Sequence, residues 1–370
     1  MQLSIIILNY NVRYFLELCV TSVQKAIQEI DAEIIVVDNN SQDDSCAMMK
    51  QRFPNVKLIE NKENSGFPKG NNIGVSQASG EYICILNPDT VVAEDTFIKV
   101  LAFAKNQNDL GIVGCKLIDG TGNFLPESKR GIPTPFVAFT KISGLYQLFP
   151  GSFGKYYAQH ISENETGKVD ILVGAFMLMK RELYNEIGGF DENCFMYSDD
   201  IDLSYMALKK GNSNYYYHGT SVIHYKGEST VKDGTYMKRF REAMNFFYKK
   251  HFRVSFLFSV FMEIGIVFFS FVKMFQGKSK PKSIPDNYIL VSDDEILKGK
   301  LENVFGKSVK REGITKSFSK NKATEIIFDQ KCLDFKSIIQ AFEANKNRGF
   351  IFKIHLELSD FVIRSDSSFD

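Results

Sequence analysis

Short apolar runs closed by polar residues recur through the first part of the chain. Runs of this kind are typical of strands that are buried on both faces of a parallel sheet. They predict strands at residues 3–8, 33–38, 56–59 and 82–86. Amphipathic or glycine-bounded segments follow, so strand and helix alternate. The pattern therefore predicts an α/β fold with a mainly parallel sheet flanked by helices.

The segment after the first strand has a helical apolar face. Its members are Phe15, Leu18, Cys19, Ser22, Val23 and Ala26. A second helix is predicted after Gly70. Helices over residues 181–187 and 199–210 should end at Gly188-Gly189 and at Gly211, because glycine after a periodic segment is a stop signal.

The middle of the chain is less regular. Residues 119–168 are rich in Gly, Pro, Phe and Tyr and show no clear period, which indicates a long loop region over the site, on the acceptor side. Strands at residues 169–173 and 175–179 should resume the core.

Residues 254–275 are strongly apolar and long enough to span a bilayer, for which about 20 residues suffice. Glu263 near the centre argues against a span. We interpret the segment as a helix that lies in the membrane surface or packs on the protein. A homodimer or domain interface is the alternative.

The sequence divides into three parts. Residues 1–250 form the predicted catalytic domain, and residues 251–282 the apolar helix with a basic linker. Residues 283–370 form a small α/β domain of unknown role, with a helix start predicted at Asp293-Asp294-Glu295. The abrupt ending at residues 367–370 is typical of a fragment of a longer protein.

The charges nearly cancel, with Lys+Arg 45 against Asp+Glu 44. There is no basic field that would favour nucleic-acid binding. The six cysteines have no CxxC spacing, which indicates free thiols in a reducing compartment. No signal peptide precedes the first strand. We therefore expect a cytoplasmic protein, peripheral at the inner membrane face if the apolar helix binds there.

Polar residues stand at the ends of several predicted strands. They are Asn9, Asp38 and the Asn87-Pro88-Asp89 segment. Ligands of such sheets bind outside the carboxyl ends of the strands. We therefore expect these side chains to gather at one edge.

Asp89 is a candidate metal ligand. A divalent cation neutralises a leaving diphosphate and prefers carboxylate oxygens. The Asn-Pro-Asp-Thr segment is also good turn chemistry, so a plain turn is the alternative. His224, which follows two apolar residues, suits a manganese-like ion beside a carboxylate. A lone histidine in that setting is also commonly structural.

The acidic cluster Asp199, Asp200 and Asp202 lies at a predicted helix start. One of these carboxylates could act as a general base, because crowding of acids raises a pKa toward working pH. The alternative is a capped helix start, which acidic residues also favour. Residues 61–74 form a glycine- and asparagine-rich loop whose amides could bind a nucleotide.

Together these segments resemble glycosyltransferase family 2, in its rhamnosyltransferase-like branch. The resemblance covers about residues 1–250 and rests on the order and spacing of several short segments. They are residues 4–11, Val36-Val37-Asp38, Asn64-Ser65-Gly66-Phe67, Gly70-Asn71-Asn72, Asn87-Pro88-Asp89, Gly174-Ala175, residues 188–192, the acidic cluster and His224. The resemblance implies the GT-A fold.

The resemblance also implies roles for single residues. Asp200 matches the catalytic base, with Asp199 in the position of the usual glutamate and Asp202 supporting. Asp89 and His224 would hold Mg or Mn, although Asn87 replaces the first aspartate of the usual pair. The nucleotide would be bound by Asn9, Asn11, Asp38, Asn64, Asn71 and Asn87. Asp191 and Gly174 would contact the acceptor.

The implied activity is inverting transfer of a sugar from dTDP-rhamnose or a UDP-sugar. The acceptor would be a hydroxyl of a glycan or lipid-linked glycan in cell-surface polysaccharide synthesis. Two alternatives stay open. A nucleotidyltransferase should carry a glycine-rich loop after the first strand, and here that position holds Asn9-Tyr10-Asn11. A non-catalytic nucleotide- or glycan-binding subunit could share the fold.

Overall fold

The computed structural model describes residues 1–134, 157–226, 236–252, 285–314, 318, 323–357, 362–364 and 367–369. The predicted apolar helix at residues 254–275, its basic linker and part of the predicted acceptor loop lie outside these residues. Within the described part, no helix is long and apolar enough to cross a membrane.

The first sheet contains the strands β1 to β9, with helices α1 to α6 between them. The strands are β1 (Leu3–Asn9), β2 (Ala32–Asp38), β3 (Lys57–Glu60), β4 (Tyr82–Leu86), β5 (Thr90–Val91), β6 (Leu110–Ile118), β7 (Gly167–Val169), β8 (Phe176–Lys180) and β9 (Ser213–His224). The helices are α1 (Arg13–Ala26), α2 (Ser45–Arg52), α3 (Gly66–Ser76), α4 (Thr96–Lys105), α5 (Arg181–Glu186) and α6 (Asp199–Lys209). A further helix, α7 (Tyr236–His251), follows.

The strand order among the described residues is β3-β2-β1-β4-β8-β6-β9-β5, with β7 paired to β9. The first four strands in that order are parallel neighbours. Strand β8 runs antiparallel to both β4 and β6, whereas β6 and β9 are parallel. The predicted mainly parallel α/β sheet is confirmed.

Burial explains why these segments form strands. Every residue of β1, β4 and β6 is buried, as expected for strands covered by helices on both faces. The predicted inner face of α1 is also confirmed, because all six of its members are buried.

Several predicted bounds differ from the structure. Helix α3 begins at Gly66, not after Gly70. Only Val169 of the predicted strand at residues 169–173 lies in a strand. In the rest of that segment, Ile171 forms an isolated antiparallel β-bridge with Arg130. Strands β6 and β9 were not predicted. Their pairing joins segments about 100 residues apart, which periodicity does not reveal.

The predicted helix ends are confirmed. Gly188, Gly189 and Gly211 follow α5 and α6 with φ of 87°, 67° and 96°. Side chains rarely adopt this left-handed backbone, so glycine is the residue that ends a helix there.

A second sheet occupies the C-terminal part of the chain. Its elements are β10 (Asn287–Val291), α8 (Glu295–Phe305), β11 (Val309–Arg311), β12 (Thr324–Asp329), α9 (Phe335–Ala344), β13 (Ile351–His355), β14 (Val362–Arg364) and β15 (Ser367–Phe369). The order is β11-β10-β12-β13-β14-β15, and the first four strands are parallel. The predicted helix start is confirmed, since Asp294 caps α8 by accepting from the Ile296 and Leu297 amides.

The second sheet packs against the first through α9. Side chains of α9, such as Phe342, share a hydrophobic cluster with Phe15, Val91 and Ile223 of the first sheet and its helices. Glu94 accepts hydrogen bonds from the backbone amides of Phe335 and Lys336, at 2.8 and 3.0 Å. A carboxylate of the first unit thus caps a helix of the second.

Candidate active site

A pocket of about 450 Å³ opens at the carboxyl ends of β1 and β4. This is the edge at which ligands of open α/β sheets bind. Segments from both halves of the first sheet form its walls. The charged and amide side chains that line it are Asn39, Asn64, Asn87, Glu127, Arg130, Asp199, Asp200 and Lys226.

Asp199 and Asp200 line this pocket from the first turn of α6, and each is 8% exposed. Asp200 Oδ2 accepts from Arg130 Nη2 at 2.5 Å and from the Gly174 amide at 3.2 Å. Burial, followed by the negative charge of Asp200, raises the pKa of Asp199 to about 7. A carboxyl with such a pKa can exchange protons at neutral pH.

The residue before this helix turn is strained. Tyr197 lines the pocket and has a φ of 80°, which non-glycine residues rarely adopt. Strain of this kind commonly marks functional sites. Tyr197 lies two residues before Asp199, in the loop that leads into the helix turn with both carboxylates.

Arg130 is a pocket residue that sequence reasoning missed. Its backbone exchanges two hydrogen bonds with Ile171, both at 2.9 Å, and its Nη2 also donates to the Leu172 carbonyl at 3.0 Å. Arg130 and Asp200 are 70 residues apart in the sequence. The segment between them has no period that indicates their contact.

Asp202 lies away from the pocket wall, on the next part of α6. It is 1% exposed and accepts from Lys250 Nζ at 2.8 Å, with His251 Nε2 at 2.5 Å. Lys250 also binds Asp191 at 2.7 Å. These contacts join α6 and the preceding loop to α7. Gly174, the other predicted acceptor contact, lines the pocket beside Asp200, whereas Asp191 is not among the lining residues.

Asp89 and His224 meet at the short antiparallel pairing of β5 with β9, where Thr90 faces His224. His224 Nε2 lies 3.4 Å from Asp89 Oδ1 and 3.4 Å from Asn87 Nδ2. Both candidate ligands are buried, and Asp89 Oδ1 has no hydrogen-bond partner among the residues that the structure describes.

This arrangement fits a divalent cation. An unsatisfied buried carboxylate oxygen is costly, and a cation next to it would remove that cost. The pair provides one hard oxygen and one imidazole nitrogen, which suit Mg or Mn when water and phosphate supply the other ligands. Among the described residues, no cluster of three or more His, Cys, Asp or Glu side chains could hold an ion by itself.

The structure places the predicted nucleotide ligands in different surroundings. Asn64 and Asn87 line the pocket. Asn9 and Asp38 lie beneath it as neighbours on β1 and β2, joined by a hydrogen bond of 2.7 Å from Asn9 Nδ2 to Asp38 Oδ1. Asn11 has a φ of 55° and accepts from the Gln42 amide at 2.6 Å.

Asn39 is the second polar pocket residue that sequence reasoning missed. Its side chain binds Asn64 Oδ1 at 3.0 Å and Asn61 Nδ2 at 2.9 Å, and thus orders the asparagine-rich loop. The adjacent sequence Asp38-Asn39-Asn40 at a strand end was a usable signal. Asn71, in contrast, is buried and donates to the Phe67 carbonyl within α3.

The glycines of residues 66–74 have a packing role. A Cβ at Gly70 would lie 2.4 Å from Leu8 Cδ1, and one at Gly74 would lie 2.6 Å from Ile6 Cγ2. Both glycines therefore let α3 approach β1 closely. This close approach brings the asparagine-rich loop to the pocket edge.

Glu127 and Lys226 form an ion pair on the pocket wall. Burial raises the pKa of Glu127, but the Lys226 ammonium outweighs that effect and holds the pKa below its ordinary value. Lys226 is the second residue after His224, at a φ of 58°. An exposed cation therefore stands beside the candidate metal pair.

Topology and site together define the class of protein. Parallel strands β1, β2 and β4 end at a polar pocket, and the mixed half of the sheet adds the acidic turn of α6 to its wall. Asp89 and His224 contact each other and are not among the residues that line the pocket. This topology is the GT-A fold of nucleotide-diphospho-sugar transferases, and the chain is a glycosyltransferase.

The sequence comparison gives the family. The model of glycosyl transferase family 2 matches residues 4–188, which is half of the chain. The chain belongs to that family, and the resemblance seen in the sequence is confirmed.

Curated relatives are similar over more than half of the chain. An N-acetylglucosaminyl-diphospho-decaprenol L-rhamnosyltransferase of Mycobacterium tuberculosis is 27% identical over 243 residues, covering 62% of this chain and 78% of the relative. Rhamnosyltransferase WbbL of Escherichia coli is 25% identical over 217 residues, covering 55% and 78%. A solved mannosyltransferase of Pyrobaculum calidifontis, in complex with GDP-Man and Mn2+, has 19% identity and a TM-score of 0.47, covering 69% of this chain and 65% of that one.

Proposed function

We propose that this protein is an inverting, metal-dependent transferase that moves a sugar from a nucleotide-diphosphate sugar to an acceptor hydroxyl. The placement of Asp200 carries the proposal. Its Oδ2 is held by Arg130 and the Gly174 amide, while its Oδ1 has no hydrogen bond to any described residue and belongs to a side chain that lines the pocket. A carboxylate fixed in this way is suited to act as a base.

In the proposed reaction, Asp200 takes the proton of the acceptor hydroxyl as its oxygen attacks the anomeric carbon. The bond from that carbon to the diphosphate oxygen breaks, and the electron pair leaves with the diphosphate. One displacement inverts the anomeric configuration. Asn39, Asn64 and Asn87 provide amide groups around the donor.

Asp89 and His224 would hold the divalent cation, Mg or Mn. A cation bound there would neutralise negative charge on the diphosphate. Lys226, the second residue after His224, lines the pocket together with its partner Glu127. Two of the other predicted nucleotide ligands, Asn9 and Asp38, would support the nucleotide from beneath.

We infer the donor and acceptor classes from the relatives. Two of them are named as rhamnosyltransferases, one with a diphospho-decaprenol acceptor in its name. This favours dTDP-rhamnose or a UDP-sugar as donor and a glycan or lipid-linked glycan as acceptor, in cell-surface polysaccharide synthesis. The names of these relatives also favour a sugar transferase over a nucleotidyltransferase or a non-catalytic binding subunit.

A nucleotide-release assay tests the proposal. The full chain is incubated with dTDP-rhamnose or UDP-sugars, with and without Mn. We expect metal-dependent release for one donor, and a thermal shift by the same donor. Asp200→Asn should abolish release while the donor shift persists. Turnover in that variant at the wild-type rate would contradict the assignment of the base.

A further inference from the structure

Two adjacent carboxylates share the wall of the pocket. Asp199 and Asp200 are both 8% exposed, and both face the same cavity. Two acids in so dry a place cannot both ionise without a large cost, so they compete for one proton. Catalysis by Asp200 requires that this competition leaves Asp200 ionised and Asp199 protonated.

The position of Arg130 favours that outcome. Its side chain is 11% exposed and hydrogen-bonds Asp200 Oδ2, whereas it acts on Asp199 through its charge. The two backbone hydrogen bonds to Ile171 and the bond to the Leu172 carbonyl fix the arginine in place. The cation is therefore fixed on one member of the pair.

We propose that Arg130 is a positioning residue, which keeps Asp200 as the ionised member of the pair and turns its free oxygen toward the acceptor. This proposal rests on the proposed function, because it assumes that Asp200 is the base. Arg130 itself takes no proton and forms no bond to the sugar.

Neighbouring charges do not replace this effect. Glu127 and Lys226, which line the same pocket, pair with each other. In the next part of α6, Asp202 pairs with Lys250 and His251. The raised pKa of Asp199, caused first by burial and then by the charge of Asp200, agrees with a proton that resides on Asp199 near neutral pH.

Loss of the guanidinium should therefore remove the charge that favours the ionised form of Asp200. An arginine beside a carboxylate lowers its pKa by about 1–3 units. Without it, the acidic limb of the pH-rate profile should move to higher pH by about one unit or more, with an at least roughly tenfold loss of rate below the limb. A merely structural role would lower the rate equally at all pH values.

The experiment follows nucleotide release by the full chain from about pH 5 to about pH 9. The probes are dTDP-rhamnose and UDP-N-acetylglucosamine with MnCl2, and the faster donor is used throughout. The variants are Arg130→Met, Arg130→Lys, Asp199→Asn and the double variant Arg130→Met with Asp199→Asn. Lys129→Met is the matched control, because Lys129 is a buried neighbouring cation that binds the Tyr157 and Ala158 carbonyls.

We expect the acidic limb of the pH-rate profile to move to higher pH in Arg130→Met. In Arg130→Lys it should stay within about half a pH unit of the wild type, because the charge is kept. In Lys129→Met it should stay at the wild-type pH. Adding Asp199→Asn to Arg130→Met should return the limb toward lower pH, because the competing acid is gone. An unmoved limb in Arg130→Met, or no return in the double variant, would overturn the proposal.

If Arg130→Met does not fold, Arg130→Gln takes its place, because glutamine also lacks the charge and should move the limb to higher pH. An unmoved limb in that variant would overturn the proposal. Asp199→Asn alone should leave the limb near the wild-type pH, since the side chain that it replaces is already protonated. Failure of the proposed function looks different. In that case the wild type releases no nucleotide from either donor, or Asp200→Asn turns over like the wild type.

Discussion

The imidazole Nε2 of His224 lies 3.4 Å from Oδ1 of Asp89, next to the pairing of Thr90 in β5 with His224 in β9. The two side chains come from segments far apart in the sequence. Their contact places an imidazole beside a buried carboxylate oxygen that accepts no hydrogen bond in the described part of the chain. This is the geometry on which the proposed metal site rests.

His224→Ala should weaken the response to manganese. We expect the Mn concentration for half-maximal nucleotide release to rise by about tenfold or more, since outer-shell changes alone reach about 10–100-fold. A titration of release against MnCl2 measures it. His218→Ala is the matched control, because His218 lies on the same strand and binds Thr166 at 2.8 Å. Equal titrations for both variants would rule out His224 as a ligand.

Asp202→Asn should destabilise the protein. Asp202 is buried between Lys250 and His251, and breaking a buried pair costs about 3–5 kcal/mol. The amide keeps part of the hydrogen bonding, so we expect a loss of about 2 kcal/mol or more in the free energy of unfolding. Chemical unfolding of the variant and the wild type measures it. An unchanged free energy of unfolding would contradict a structural role for Asp202.

Glu94→Ala should loosen the second sheet from the first. The Glu94 carboxylate accepts from two amides at the start of α9, and loss of such a cap costs about 0.5–2 kcal/mol. Limited proteolysis should then cleave between the two sheets faster. Glu312→Ala removes an exposed ion pair with Lys310 and is the control, with an expected cost of about 0–1 kcal/mol. Equal cleavage rates would exclude this role for Glu94.

The raised pKa of Asp199 predicts how stability depends on pH. The folded state holds this proton up to about pH 7, whereas the unfolded chain releases it at about pH 4. Since the folded state binds more protons in that window, stability falls as pH rises through it. Asp199→Asn should therefore be more stable than the wild type at about pH 8, by on the order of 1 kcal/mol, and equal to it at about pH 4. Thermal unfolding at both pH values checks the sign.

Gly74→Ala should destabilise the protein, and Gly299→Ala should stabilise it. The new methyl group at position 74 would lie 2.6 Å from Ile6 Cγ2, and overpacking costs about 1–3 kcal/mol. Gly299 lies in α8, and a methyl group there would have no described atom within 4 Å, so alanine gains about 0.5–1 kcal/mol of helix stability. Unfolding midpoints of the two variants should move in opposite directions.

Local patterns determined much of this protein. The apolar runs identify β1, β2 and β4, because strands buried on both faces must be apolar throughout. Glycines that end α5 and α6, and Asp294 at the start of α8, are local signals that need no partner in space. The order of short motifs identified the family.

Tertiary structure decided the rest. Sequence reasoning missed β6 and β9, whose pairing depends on contacts between distant segments. It also missed Arg130, because an ion pair across 70 residues leaves no periodic trace. In the sequence, the resemblance to the family separated Asp200 from Asp202, whereas their spacing alone did not. Only the packing of α6 turns one carboxylate to the pocket and the other to Lys250 and His251, since helix position alone does not specify what lies opposite each face.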